Sequence, residues 1–247
     1  MARTFRIALG LVGGLLAGLL GVPQPAVQAV SAAPVAPPFR VNACGNYSDR
    51  VLLTYDDWPY TDPLKLKRVT RWASRNNVGL ELFPIGENAQ AYKKATGRNL
   101  VRYARGHGMY VGNHTYDHPD LSTLGKARIR YQIKHGVSST LLRPPYGAYN
   151  PRVTKVASNL GYRLCIWDVD TRDWTGKTAK QVRRFVLKHT GKGDTVLMHM
   201  NHNAFNVATL KSIVHGLHNK GLKICRPYRV KGKIATTPTK LPRVLPC

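Results

Sequence analysis

Val51-Leu52-Leu53-Thr54-Tyr55-Asp56-Asp57 is a short apolar run, rich in β-forming residues, that ends on two adjacent carboxylates. Such a run reads as a buried strand whose end emerges from the core. The pattern recurs along the chain: candidate strands are Val51–Tyr55, Leu80–Ile85, Met109–Gly112, Leu141–Arg143, Leu164–Val169, Thr195–Met198 and Leu222–Cys225. Helix-like segments lie between them. Asn150 followed by Pro151 is a cap and first-turn pair, with Gly161 closing that helix. Thr178-Ala179-Lys180-Gln181 reads as a capping box opening a helix to about His189, and Val207–Asn219 is another, stopped by Gly221. Repeated strand–helix units imply a parallel sheet. Seven of them predict an α/β fold, a closed or nearly closed (β/α) barrel of about seven parallel strands, an open doubly wound sheet being the alternative.

Five segments carry unusual chemistry at the C-terminal ends of these strands: Thr54–Asp57, His114–His118, Arg143–Gly147, Asp170–Trp174 and Leu197–His199. In a parallel barrel those ends form one rim, where active sites are built. The acids agree. Only 12 Asp and Glu occur against 38 Lys and Arg, yet Asp56, Asp57, Asp62, Asp117, Asp120, Asp168, Asp170 and Asp173 all fall at or near three of these segments.

His114 and His118, four apart and followed by Pro119, suit a compact loop in which both chelate one metal. A carboxylate such as Asp57 would complete a His₂Asp set with a position left for water. Asp56 and Asp57, adjacent on a strand end, point in different directions, so one can hold metal while the other faces the water. Arg143, stiffened by Pro144-Pro145, is suited to holding a carboxylate. A His199–Asp173 pair would raise the imidazole pKa and fix its orientation, as a general acid requires.

These five segments, in this order from about Val51 to Arg226, resemble the polysaccharide deacetylase family (NodB-homology domain, carbohydrate esterase family four). The resemblance implies a NodB-like distorted barrel and a hydrolase of acetyl groups on a polysaccharide. Asp56 would be the general base. Asp57, His114 and His118 would ligate a divalent metal, most often Zn²⁺, with Co²⁺ or Ni²⁺ as substitutes. Thr115 would brace the histidine loop, Arg143 would hold Asp56, and the Tyr146 N–H would help to bind the oxyanion. Asp173 would tune His199, and Trp174 and Leu197 would wall the acetyl pocket. The implied substrate is an N-acetylglucosamine polymer, peptidoglycan or chitin-like; an acetylxylan esterase and a non-catalytic cationic wall-binding protein are the alternatives. Trp58 stands where the family has glycine, which is expected to reshape the substrate groove. Glu81 departs from the family's apolar strand.

The chain ends set the context. Arg3 and Arg6 precede an uncharged apolar run from Ile7 to about Val22, and Val27-Gln28-Ala29 offers small residues for cleavage. This is the order of a secretory signal peptide over residues 1–29, followed by a flexible lead-in over 30–43, a deacetylase domain over 44–228 and a basic, Pro-containing tail over 229–247. Cys44, Cys165, Cys225 and Cys247, an even count in an exported chain, favour two disulfides with three possible pairings. No pair has Cys-x-x-Cys spacing, which argues against a cysteine zinc site. The net charge of +26 suits an anionic cell-wall polymer. No motif supports nucleic acid, and a secreted monomer free of membrane after cleavage is expected.

Overall fold

The computed structural model describes residues 38–247. The leader expected over residues 1–29, and the lead-in as far as residue 37, lie outside them. Seven parallel strands build the core among the described residues: β1 Leu52–Asp57, β2 Leu80–Pro84, β3 Tyr110–Val111, β4 Leu141–Leu142, β5 Arg163–Leu164, β6 Val169–Asp170 and β7 Thr195–His199. Five form one sheet in the order β3-β2-β1-β7-β6, and β4-β5 form a pair. A bridge between Asn113 and Leu142 joins β3 to β4, so the wall runs from β6 round to β5. The remaining opening, between β5 and β6, is filled by residues 41–46. Ile166 N–H donates to the Val41 carbonyl at 2.9 Å, and Cys44 is bonded to Cys165. The expected distorted (β/α) barrel is therefore present, with this segment in place of a staving strand.

Two strand expectations need correction. Leu164–Val169 is not one strand: it divides into β5 and β6 where residues 41–46 enter. Leu222–Cys225 is not a wall strand; it makes a single bridge, Val51 to Ile224, beneath β1. There Cys225 N–H donates to Val51 and its carbonyl accepts from Gly79. Glycine is required at 79, since a Cβ would stand 2.2 Å from the Arg226 carbonyl oxygen.

Alternation along the strands sorts their side chains. On β1, Leu53 and Tyr55 face the helices, packed with Val196 and Met198 of β7 and Leu80 and Leu82 of β2. Leu52 faces the barrel interior with Phe83, Tyr110 and Leu141, and Thr54 and Asp56 share that inward phase. Each fully buried Leu or Val contributes about 1.5–3 kcal/mol.

Seven α-helices cover the outside: α1 Leu64–Arg75, α2 Gly86–Thr96, α3 Leu100–Gly106, α4 Lys126–His135, α5 Pro151–Asn159, α6 Ala179–His189 and α7 Val207–Asn219. The capping box at Thr178 and Gln181 is formed, and the Asn150 and Asn206 side chains accept from Val153 and Thr209 N–H groups. These helices hold twenty lysines and arginines and one acid, Glu87. None is long and apolar enough to cross a membrane. The acids sit instead at the strand ends.

The tail forms an antiparallel hairpin, β8 Arg229–Val230 with β9 Lys233–Ile234, then returns to bury Leu241 and Leu245 and to close Cys225–Cys247. Constraining that 22-residue separation stabilises the fold by about 3 kcal/mol in the chain-entropy model. The Cys225→Ser/Cys247→Ser variant is expected to lose that amount in a urea titration. A loss below about 1 kcal/mol would mean that burial alone holds the tail.

Candidate active site

The inward phase of β1 delivers Asp56 to the barrel mouth, and the residue beneath it is Arg143, fully buried just after β4. A buried guanidinium is tolerated only when its donors are used. Here Nη1 donates to Asp56 Oδ1 and to Thr54 Oγ1, both at 2.7 Å, and Nη2 donates to the Ile166 carbonyl at 2.9 Å. The Phe83 ring lies 4.1 Å from the guanidinium carbon.

Asp57 belongs to the outward phase of β1, but its φ of 73° turns the chain back over the rim. The same turn sends Trp58 down into the core, where it is buried against Tyr92 with ring centroids 5.9 Å apart. The expectation that Trp58 reshapes the substrate groove is thus corrected: it does not line the cavity.

The histidines lie in a loop. Asn113 anchors it, donating to the Ile133 carbonyl and accepting from Thr115 N–H, and Thr115 Oγ1 accepts from His118 N–H at 3.1 Å. His114 Nδ1 meets the Arg143 carbonyl at 2.7 Å; a carbonyl can only accept, so Nδ1 donates and Nε2 is the ring nitrogen left to ligate a metal. His114 Nε2 and His118 Nε2 are 3.2 Å apart, with Asp57 Oδ1 at 3.6 and 3.4 Å from them. Asp57 Oδ1 is buried with no hydrogen-bond partner. Three edges of this length match neighbouring vertices around a tetrahedral ion with ligands at about 2.0–2.1 Å. The donor set therefore fits a divalent metal. Burial, then the neighbouring His114, lowers the His118 pKa to about 4, which keeps it neutral. Burial opposes ionisation of Asp57, but His114, His199 and His118 outweigh it and hold the carboxyl at about 2.

Across the mouth, β7 ends on His199. Its Nδ1 meets Asp173 Oδ1 at 2.6 Å, and its backbone N–H donates to Asp173 Oδ2 at 2.9 Å. Asp173 is buried at the head of a 3₁₀ turn, Asp173–Thr175. Burial alone would lower the imidazole pKa; the hydrogen bond that Nδ1–H donates to Asp173 and the charges of Asp56, Asp173 and Asp57 raise it to about 9.

A cavity of about 360 Å³ opens between these walls, lined by Asp56, Asp57, His114, His118, Tyr146, Trp167, Asp170, Trp174, Leu197 and His199. Of the residues expected from sequence, eight line it. Arg143 and Asp173 stand behind Asp56 and His199, and Thr115 holds the histidine loop. Sequence reasoning missed Trp167, Asp170 and Thr54. Asp170 opens the segment Asp170–Trp174, and Thr54 shares the phase of Asp56, so both carry a signal in the sequence. Tyr146 and Trp174 are exposed by 69% and 55%, flanking the opening. Five residues around the mouth, Asp57, Thr115, His118, Tyr146 and Arg172, adopt positive φ without being glycine, of eight such among the described residues.

Residues 46–165 match the model of the family described as Polysaccharide deacetylase. A solved family 4 carbohydrate esterase from Streptomyces lividans, in complex with acetate, is 30% identical over 71% of this chain and 91% of that one, with a TM-score of 0.61. The chain belongs to the polysaccharide deacetylase family. Within it, a Peptidoglycan-N-acetylglucosamine deacetylase of Bacillus cereus is 30% identical over 70% of this chain. The peptidoglycan deacetylase PgdA of Listeria monocytogenes is 31% identical over the same share. The chain spans 65% of the length of the first relative and 36% of the second.

Proposed function

We propose that this family member is an exported, metal-dependent hydrolase that removes N-acetyl groups from an N-acetylglucosamine polymer, with peptidoglycan favoured. The observation that carries the reading is the opposition, across one cavity, of a carboxylate held by a buried arginine and an imidazolium held by a buried aspartate. A His₂Asp corner lies beside them. Asp57, His114 and His118 would hold the metal, Zn²⁺ first and Co²⁺ or Ni²⁺ as substitutes. When bound, the ion supplies Lewis-acid polarisation and makes water nucleophilic near neutral pH.

The remaining work belongs to the chain. Asp56 takes the proton of the attacking water through the oxygen that Arg143 leaves free. The Tyr146 N–H faces the developing oxyanion, the kind of fixed donor that lowers such barriers most. Leu197 and Trp174 enclose the acetyl methyl. His199 gives its proton to the leaving nitrogen as the C–N bond breaks, because an amine anion is a very poor leaving group. The products are acetate and a free amine on the sugar. Exposed Tyr146 and Trp174 offer ring faces to sugars on either side. Export is supported by the leader sequence and by two disulfides, which suit an oxidising compartment. The basic helical exterior is suited to an anionic wall.

Acetate release from N-acetylglucosamine oligomers, peptidoglycan and acetylxylan, with zinc-loaded protein, tests the reading. Release from the amide substrates is expected; release from xylan alone would make the protein an esterase. The acid's role has its own test. His199 must be protonated, and its raised pKa keeps the active form present until pH rises through about 9. Asp173→Asn removes the carboxylate charge behind the imidazole and leaves only a neutral acceptor, so the alkaline limb of kcat/KM is expected to move to lower pH, with kcat down about tenfold or more. An unmoved limb would remove His199 from the mechanism.

A further inference from the structure

β5 ends at Leu164 and pairs with β4, so Cys165 and Ile166 have no strand on their other side. What lies there is the inserted segment 41–46, pinned by Cys44–Cys165, and both of these cysteines are fully buried. The sulfurs face the guanidinium that holds the base: Arg143 Nη2 is 3.2 Å from Cys165 Sγ and 3.6 Å from Cys44 Sγ. The same Nη2 donates to the Ile166 carbonyl, and Nε meets the Cys165 carbonyl at 3.4 Å. Ile166 is in turn tied by its N–H to Val41, on the far side of the bond. One edge of the guanidinium thus rests on residues 165–166 and the sulfurs, while Nη1 serves Asp56 and Thr54. The group is a rigid plane, so a shift of the supported edge moves the working edge.

The support is also uncharged. Glu81, fully buried on the inward phase of β2, brings Oε2 to 3.7 Å from Cys165 Sγ. Burial pushes its carboxyl up to about 8, against the pull of Arg143. A neutral acid and two sulfurs do not compete with Asp56 for the arginine.

The geometry points to Cys44–Cys165 as a positioning device for Arg143: by fixing residues 165 and 166 beneath Nη2, the intact bond aims Nη1 at Asp56. This inference rests on the deacetylase reading above. Its consequence is that cleaving the bond lowers turnover while leaving the metal corner and the sugar-binding mouth as they are.

The test compares Cys44→Ser/Cys165→Ser with Cys225→Ser/Cys247→Ser in acetate-release kinetics, below the melting temperature of each. Bound metal and the Co²⁺ absorption spectrum are recorded alongside. The first variant is expected to lose about tenfold or more in kcat, the scale of a sub-ångström misplacement, with KM, metal content and spectrum unchanged. The second is expected to keep wild-type kcat. In the second variant, dithiothreitol should lower kcat through the remaining bond with metal content unchanged, and reoxidation should restore it. The reductant is removed by desalting into Zn²⁺-containing buffer before assay, because a dithiol binds zinc. A folded Cys44→Ser/Cys165→Ser protein with kcat within about twofold of wild type would overturn the inference. So would equal kcat losses in both variants, or a dithiothreitol effect seen only with loss of the folded circular-dichroism signal; this last arm decides the matter if the serine variant does not fold. No acetate release by wild type would instead refute the deacetylase reading itself.

Discussion

Asp56→Asn is expected to lower kcat by about a thousandfold, the middle of the range for losing a general base. The asparagine keeps the shape and can still accept from Arg143 Nη1 through its amide oxygen, so KM and bound metal should stay near wild type. The fold will also register the change. Arg143 is fully buried, and without the Asp56 charge its guanidinium loses the one ionised partner it contacts. Breaking a buried pair from one side costs about 3–5 kcal/mol, so the variant must be assayed well below its lowered melting temperature. A kcat within tenfold of wild type would place the base elsewhere. Loss of bound metal would mean that Asp56, and not only Asp57, belongs to the ligand set.

His114→Ala is expected to abolish both metal retention and turnover. Two donors remain of the Asp57, His114 and His118 cluster, and the ring lost is the one whose Nε2 is fixed by the bond from Nδ1 to the Arg143 carbonyl. Affinity should fall by more than about 100-fold, since losing even a hydrogen-bond partner of a metal ligand costs 10–100-fold. Metal analysis after dialysis reads the first effect. For the second, wild type stripped with a chelator should regain activity on adding Zn²⁺ or Co²⁺, and the variant should not. Full activity of the stripped wild type would refute metal dependence.

Much of this site is legible in the amino-acid sequence because residue types are scarce where they matter. Acids are rare in the chain, so carboxylates at strand ends stand out, and paired histidines before a proline define their own loop. β1 and β7 are legible for the same reason that they are central: their apolar runs are long enough to be unambiguous. What is not legible depends on approach in space. Four cysteines allow three pairings, and Cys44–Cys165 is decided by a segment entering the barrel wall 121 residues from its partner. The division of Leu164–Val169 follows from that entry. Trp58 is misread because the dihedral of Asp57, which no residue pattern encodes, decides which way the next side chain points. Thr54 carries no assigned role because threonine looks like an ordinary strand former, and Glu81 stands out only as a departure from an apolar strand. Following the inward phase of β1 and β2 recovers both.

The five side-chain-bearing residues held at positive φ around the mouth set the interests of heat tolerance and turnover against each other. Each costs about 1 kcal/mol or more relative to glycine at the same dihedrals, and the surrounding packing must outweigh all five at once. A population of variants selected for thermal endurance alone would therefore put glycine at Thr115 or Arg172 early and gain stability by doing so. It would also give up the fixed loops that hold His118 and Asp173 in place. The hardiest version of this chain and the fastest one are different sequences.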